Sequence, residues 1–317
     1  SEMFHGAVIE HRHPEKTRAF KDVTKVGKDL EKISTIVATN YAKAKVAIVF
    51  SYDSYWALQD AESYSENTKV WQTIQKHYRY FYDHDIPVDF VSPEDEFSQY
   101  DLLIDPMHFL MSKSYLEKID NYVKNGGKIV GTYISGVVDE NDLAYMNEWP
   151  KELQEIYGLE PLETDVLYPG QSNLINFEGK EYPVHDYCET LINCTGKVLA
   201  TYSTDFYQDT PAIVEHSYGA GKGYYLACRT DYSFLEKFYE KIASELVPEI
   251  PITKFNDRVS IQIRENKSEK YWFVQNFSDK EEKIELSCEL VNLLEDVKDK
   301  GIVSLKPFES KVYTLYR

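Results

Sequence analysis

Between residues 45 and 133, short apolar runs alternate with amphipathic segments, and this alternation restricts the possible folds more than any other feature of the chain. Lys45-Val46-Ala47-Ile48-Val49-Phe50 is apolar almost without a break, as expected of a strand covered on both faces. Trp71, Ile74, Tyr78 and Phe81 recur at helical spacing, with Gln72, Gln75, Lys76 and Arg79 turned outward. Pro87–Val91 and Asp101–Asp105 are the next strand candidates. Ser114 and Glu117 stand at capping-box spacing ahead of Leu116, Ile119 and Val123. Asn125-Gly126-Gly127 stops that helix, and Lys128–Tyr133 resumes a strand. Strands separated by helices predict an α/β fold, a parallel sheet with helices on both faces.

The rest of the 317 residues divides around this block. After Gly136 comes a polar loop, Asp139-Glu140-Asn141-Asp142, and then a short helix near Lys151–Tyr157. From about Asp165 the pattern turns to strands, at Asn173–Phe177, Glu181–Val184, Lys197–Tyr202, Ala212–Ser217 and Gly223–Cys228. Ser233 and Glu236 then open a helix carrying Leu235, Phe238, Ile242 and Leu246, which Pro248 ends. A helix that returns after a β excursion packs on the same sheet, so this domain spans 44–250. Residues 251–317 read as a small antiparallel β-domain, with strands at Arg258–Arg264, Tyr271–Val274, Lys283–Ser287, Gly301–Leu305 and Lys311–Tyr316. Before the α/β block, an extended stretch leads to Pro14, a residue suited to a first helical turn. Phe20, Val23, Gly27, Leu30 and Ile33 follow at helical spacing, and Ser34–Lys43 reads as a linker. One helix cannot close a core, so residues 1–33 belong to a body that lies elsewhere.

Thirty-five basic residues against 53 acidic ones leave a net charge of −18. A field of that sign repels phosphate backbones and anionic lipid, which argues against nucleic acid and membrane partners. No apolar run reaches the roughly 20 residues a membrane helix needs. Ser1-Glu2-Met3-Phe4-His5 has neither a basic nor an apolar character, so the expected location is cytoplasmic. Cys188, Cys194, Cys228 and Cys288 form no C-x-x-C pair, and free thiols are expected over a Cys188–Cys194 bridge. Sequons at Asn193, Asn266 and Asn276 matter only in a secretory pathway.

Four motifs invite a chemical reading, and each has a plainer one. Gly219-Ala220-Gly221-Lys222-Gly223 lacks the Ser or Thr of a phosphate loop and joins two strands, so it reads as a hairpin turn. Ser135 follows a strand where a nucleophile elbow would lie, but its glycines do not match G-x-S-x-G and no cysteine is near. Asp139, Glu140 and Asp142 lack the ligand spacing of a calcium loop and read as solvated turn acids. His11 and His13 could share one face, yet no third or fourth zinc ligand can be named. No metal, cofactor or catalytic residue is therefore assigned. The 26 tyrosines suit cores and interfaces as well as sugars, and assign no carbohydrate site.

Several of these segments together resemble the C-terminal part of glycoside hydrolase family 42, the β-galactosidases. Glu2-Met3-Phe4-His5-Gly6-Ala7-Val8 is similar to the stretch after the last strand of the family's (β/α)8 barrel, and Thr17-Arg18-Ala19-Phe20 to the start of its last barrel helix. Ile86–Val91, Asp101–Pro106 and, most sharply, Ser135–Leu143 resemble the second domain. Residues 258–277, with Arg264 and Phe273-Val274-Gln275-Asn276-Phe277, resemble the final β-domain.

The resemblance implies three segments: the last barrel loop and helix with a linker over 1–43, an amidotransferase-like, flavodoxin-like trimerisation domain over 44–250, and a small antiparallel β-domain over 251–317. It also implies a homotrimer, and a parent reaction that hydrolyses terminal β-galactosides with retention. Two barrel glutamates do that chemistry, and both lie upstream of the matching segment. A barrel takes about 250 residues, so the chain alone is expected to be inactive. Glu2 and His5 match positions that contact the galactosyl group, and are carried over as substrate-binding residues that need the rest of the barrel. The alternative is a degenerate amidotransferase-like or carbohydrate-binding module that works without a barrel.

Overall fold

A computed structural model describes residues 8–39, 43–61, 67–266 and 268–315, so Glu2 and His5 lie outside the described residues. The chain forms two compact units, one of Ala44–Val247 and one that combines Ser1–Lys43 with Pro248–Arg317.

The first unit is an α/β sheet. Strands β1 (Val46–Val49), β2 (Val88–Val91), β3 (Leu102–Asp105) and β4 (Lys128–Thr132) alternate with helices α2 (Tyr52–Asp60), α3 (Val70–Asp83) and α4 (Lys113–Lys124). Helix α1 (Arg18–Thr39) precedes them and belongs to the other unit. Then follow α5 (Lys151–Tyr157), β5 (Glu160–Val166), β6 (Asn173–Phe177), β7 (Lys180–Ile192), β8 (Lys197–Tyr202), β9 (Pro211–Tyr218), β10 (Gly221–Leu226), β11 (Cys228–Thr230) and α6 (Tyr232–Ala243). Five strands are parallel, in the order β2-β1-β3-β4-β10. The β excursion continues the same sheet in antiparallel fashion through β9, β8, β6, β7 and β11, with β5 beside β7.

The two faces of the sheet bury separate cores. Val46 and Ile48 pack with residues of α2, α3 and α6, whereas Ala47 and Val49 pack with residues of α4 and α5. Strand β1 is buried at all four positions, as its unbroken apolar run predicts. The Gly219–Gly223 segment is the β9–β10 hairpin turn. Gly221 is required there, since a Cβ would sit 2.2 Å from the Gly127 carbonyl oxygen.

Four local expectations need correction. The buried stripe of α3 is Val70, Thr73, Ile74, His77, Tyr80 and Phe81; Trp71 is exposed and Tyr78 half-buried. His77 and Thr73 can face the core because tyrosine hydroxyls meet them, Tyr239 at 2.5 Å from His77 and Tyr133 at 3.4 Å from Thr73. Ser112, not Ser114, caps α4, accepting the Tyr115 N–H at 3.2 Å. Helix α6 starts after Asp231 rather than at Ser233, and Leu246 lies in a separate 3₁₀ turn, Ser244–Leu246. Helix α1 runs through to Thr39, across much of the expected linker, and Ser34 Oγ turns back onto the Glu31 carbonyl at 3.0 Å.

The second unit has a six-stranded antiparallel sheet: β12 (Ile252–Lys254), β13 (Val259–Glu265), β14 (Lys270–Asn276), β15 (Glu282–Asn292), β16 (Val297–Leu305) and β17 (Ser310–Leu315). Its core gathers Val259, Ile261, Trp272, Val274, Ile284, Leu290 and Tyr313. Helix α1 is tied to this sheet. Arg264 Nη1 donates to the Val37 carbonyl at 3.3 Å, Lys43 pairs with Glu265 at 3.2 Å, and Lys32 reaches the Leu294 carbonyl. Ile33 is buried, whereas Val23, Val26 and Leu30 stay about half exposed.

Candidate functional site

In a doubly wound sheet, ligands bind beyond the carboxyl ends of the parallel strands, where the strand order reverses. Here that point lies between β1 and β3. The space bounded by Phe50, Ser54, Tyr55, Ile74, Asp105 and His108 is about 10 Å³, room for about one water. The crevice is filled by the protein's own side chains.

The groups at its floor are bonded to one another. Asp105 Oδ1 meets His108 Nδ1 at 2.7 Å, and Asp105 Oδ2 accepts the Tyr115 hydroxyl at 2.7 Å. Ser135 is 3% exposed, and its Oγ accepts the backbone N–H of His108 at 3.2 Å, not a proton-transfer contact with the imidazole. A serine nucleophile needs a base on its hydroxyl. Ser135 instead ties two loops together.

The turn that holds Ser135 is strained. Ile134 has φ +58°, a left-handed conformation that β-branched residues rarely adopt, and is 1% exposed. Glu189, on β7, holds it there by accepting the Ile134 N–H at 2.8 Å on one carboxylate oxygen. The other oxygen accepts the Tyr225 hydroxyl at 2.7 Å. Burial raises the Glu189 carboxyl from 4.5 to about 7, because these two neutral donors offset only part of the lost hydration.

A larger cleft of about 660 Å³ lies at the β7–β11 end of the sheet, lined by Lys69, Gln72, Lys76, Tyr168, His185 and Arg229 among others. Its floor is Arg229, 4% exposed, lying over the stacked rings of Tyr133 and Tyr187. Arg229 donates to the Tyr133 hydroxyl at 2.8 Å, to Asp186 Oδ2 at 2.7 Å, to the Asn67 carbonyl at 2.9 Å, and to the Thr68 carbonyl. The register of β7 against β11 shifts between Cys228 and Arg229, and Asp186 has φ +61°; this bulge swings its carboxylate onto the guanidinium. Burial opposes the charge on both partners. Contacts with Arg229 and then Lys69 still leave Asp186 below the ordinary carboxylate range, and contacts with Tyr133 and then Asp186 leave Arg229 above its usual value. Lys69 and Lys76 are paired with Asp186 and Asp231, at 3.2 and 3.7 Å.

The remaining sequence candidates are also accounted for. Asp139 Oδ1 accepts the N–H groups of Asn141 and Leu143 at 2.8 and 3.1 Å, closing its own turn. His13 is exposed, 3.9 Å from Glu15. Among the described residues no three His, Cys, Asp or Glu side chains are grouped to hold a metal ion. All four cysteines are free, Cys188 standing opposite Cys228 across β7 and β11. Sequence reasoning missed Glu189, Arg229 and the Asp105–His108 pair. Their one local signal is a charged or polar residue set into or just after an apolar strand run.

Comparison with known proteins gives the family of the chain. The family model described as the β-galactosidase trimerisation domain matches residues 44–248, and the β-galactosidase C-terminal domain matches residues 258–315. The chain belongs to the glycoside hydrolase family 42 β-galactosidases. Among family 42 relatives, β-galactosidase GalA of Bacillus licheniformis is 40% identical over 315 residues, which is 98% of this chain and 46% of that protein. GanA of Bacillus subtilis is 38% identical, over 98% of this chain and 47% of its own length. A solved family 42 β-galactosidase from G. stearothermophilus superimposes with a TM-score of 0.94 at 38% identity, covering 99% of this chain and 46% of that one. The chain thus spans about half the length of the curated relatives it matches, and corresponds to the family's trimerisation and C-terminal domains. The sequence resemblance to family 42 stands.

Proposed function

We propose that the chain is the assembly portion of a retaining β-galactosidase, holding three copies together through its α/β unit. The hydrolysis of terminal β-galactosides belongs to a (β/α)8 barrel whose acids are not among these residues. The observation that carries this reading is helix α1. Tied to the β-sheet on one side, it turns Val23, Val26 and Leu30 outward, 52, 56 and 49% exposed, at the spacing of one apolar stripe. A last barrel helix would cover that stripe with the preceding barrel elements.

The same reading takes the α/β unit as amidotransferase-like and flavodoxin-like. Its parallel order β2-β1-β3-β4-β10 and the strained Ile134 turn after β4 support that relation, while the filled crevice fits an assembly role without amidotransferase chemistry. Glu2 and His5 serve as substrate-binding residues once the barrel completes their pocket. The compartment we assign is the cytoplasm, where opposed thiols such as Cys188 and Cys228 stay reduced. No cofactor enters the reading.

Light scattering and turnover together test it. The purified chain is expected at three times its 37.0 kDa mass, with no cleavage of a nitrophenyl galactoside. A single-copy mass at micromolar concentration, or enzyme-like turnover by the chain alone, would overturn it.

A further inference from the structure

At the free edge of the α/β sheet, four large rings are open to solvent: Tyr52 at 59%, Trp56 at 58%, Trp71 at 42% and Phe90 at 53%. They form one patch. Phe50 meets Tyr52 at 4.9 Å and stacks on Trp71 at 4.8 Å, and Tyr52 meets Trp56 at 5.4 Å. Phe90, on the outermost strand β2, lines a groove of about 440 Å³ with Phe50 and Tyr52. With aromatic side chains able to bury roughly 200 Å² each, four half-exposed rings leave on the order of 400 Å² of mostly apolar surface. A contiguous patch of this size is on the scale of the largest apolar patch of a typical monomer, which is often functional, whereas isolated exposed residues such as Met146 and Phe206 need no explanation.

Apart from the Asp53 carboxylate, the groove's polar wall is largely occupied. Asp95 accepts the Ser92 N–H at 2.8 Å, and Lys118 Nζ donates to the carbonyls of Pro93, Glu94 and Asp95 at 2.9, 2.8 and 3.1 Å. A saccharide needs unspent acceptors and donors around its ring, whereas a protein surface needs apolar anchors. Tryptophan and tyrosine are the residues that anchor protein interfaces.

We propose that this aromatic edge is the surface through which one copy of the chain seats against a second copy. The inference rests on the assembly reading above and gives it a location. A closed ring of three uses a heterologous contact, so the patch meets a different surface of its neighbour. The rings supply the dry centre of a contact that needs about 800 Å² per partner. Each copy carries a net charge of −18, so copies repel one another, and added salt strengthens an association driven by apolar burial.

The test is the solution mass of the full chain, its Trp56→Asp/Phe90→Asp variant and a Phe206→Asp control, with circular dichroism confirming that each is folded. Expected are a three-copy mass for the parent chain and the control, and at least a roughly 100-fold weaker association in the double variant. The parent chain is also expected to associate more tightly at 0.5 M salt than at low salt. If the parent chain is a single copy, the assembly reading falls and this inference falls with it. If the parent chain is trimeric and the folded double variant stays so at the same concentration, only this inference is overturned. A saturable change in tryptophan fluorescence with galactose or lactose, lost in Trp56→Asp, would also overturn it, in favour of a sugar site.

Discussion

Arg229 and Glu189 are both buried charged side chains on the same end of one sheet, yet the structure treats them in opposite ways. Arg229 has a carboxylate, two backbone carbonyls and a tyrosine hydroxyl in reach, so its charge is matched and its donors are used. Among the described residues, the Glu189 carboxylate meets only a backbone N–H and a tyrosine hydroxyl, both neutral, and burial drives its carboxyl up to about 7. Equal burial therefore yields one group that stays charged and one that changes charge near neutral pH. The difference lies in the partners. Arg229 pins the residues before α3 to the β7 bulge, whereas Glu189 secures a strained turn.

Removing the matched charge should cost the most. Arg229→Ala leaves the partly buried Asp186 with Lys69 alone and the Asn67 and Thr68 carbonyls without their donor, and an unfolding free energy lower by about 3–5 kcal/mol is expected from urea titration. A loss below 1 kcal/mol would mean that the clamp is not structural.

Glu189→Gln tests the other side through pH. Because the folded carboxyl holds its proton more tightly, Glu189 contributes stability that is fully present below about pH 4.5 and lost as pH rises through about 7, roughly 3 kcal/mol in all. His77 has the opposite sign. Burial, helped by the charge of Lys76, pulls it from 6.5 to about 3, so its contribution is present above 6.5 and fades as pH falls toward 3. The two slopes oppose one another between pH 4.5 and 6.5. In Glu189→Gln the His77 slope should stand alone, and thermal melts should show stability rising with pH up to about 6.5. Profiles that superimpose on those of the parent chain would show that Glu189 does not titrate in this range.

The smallest effect sharpens the same contrast. Tyr133→Phe removes one neutral acceptor from Arg229 while leaving Asp186 in place. A cost of about 1–2 kcal/mol is expected in urea titration. A cost equal to that of Arg229→Ala would place the clamp's strength in the hydroxyl rather than in the ion pair.

Much of the fold can be read locally because strand and helix periodicity are properties of neighbouring residues. The apolar run at 45–50, the glycine stops at 126–127 and the hairpin at 219–223 each carry their structure in their own letters. The ordered resemblance along the chain likewise placed it in family 42. What local pattern misassigned are positions where a polar side chain is buried by a distant partner. Trp71 reads as core and is exposed, and His77, which the expected apolar face leaves out, is buried, because Tyr239 lies 162 residues away in sequence and 2.5 Å away in space. The β excursion of residues 160–230 gives no local sign of which sheet it joins; that follows from β10 pairing in parallel with β4. The filled crevice, the Arg229 clamp and the raised Glu189 carboxyl have the same origin. By itself the sequence determined the elements and the family; the tertiary structure alone decided which charges are matched, because burial and partnership depend on residues far apart in the chain.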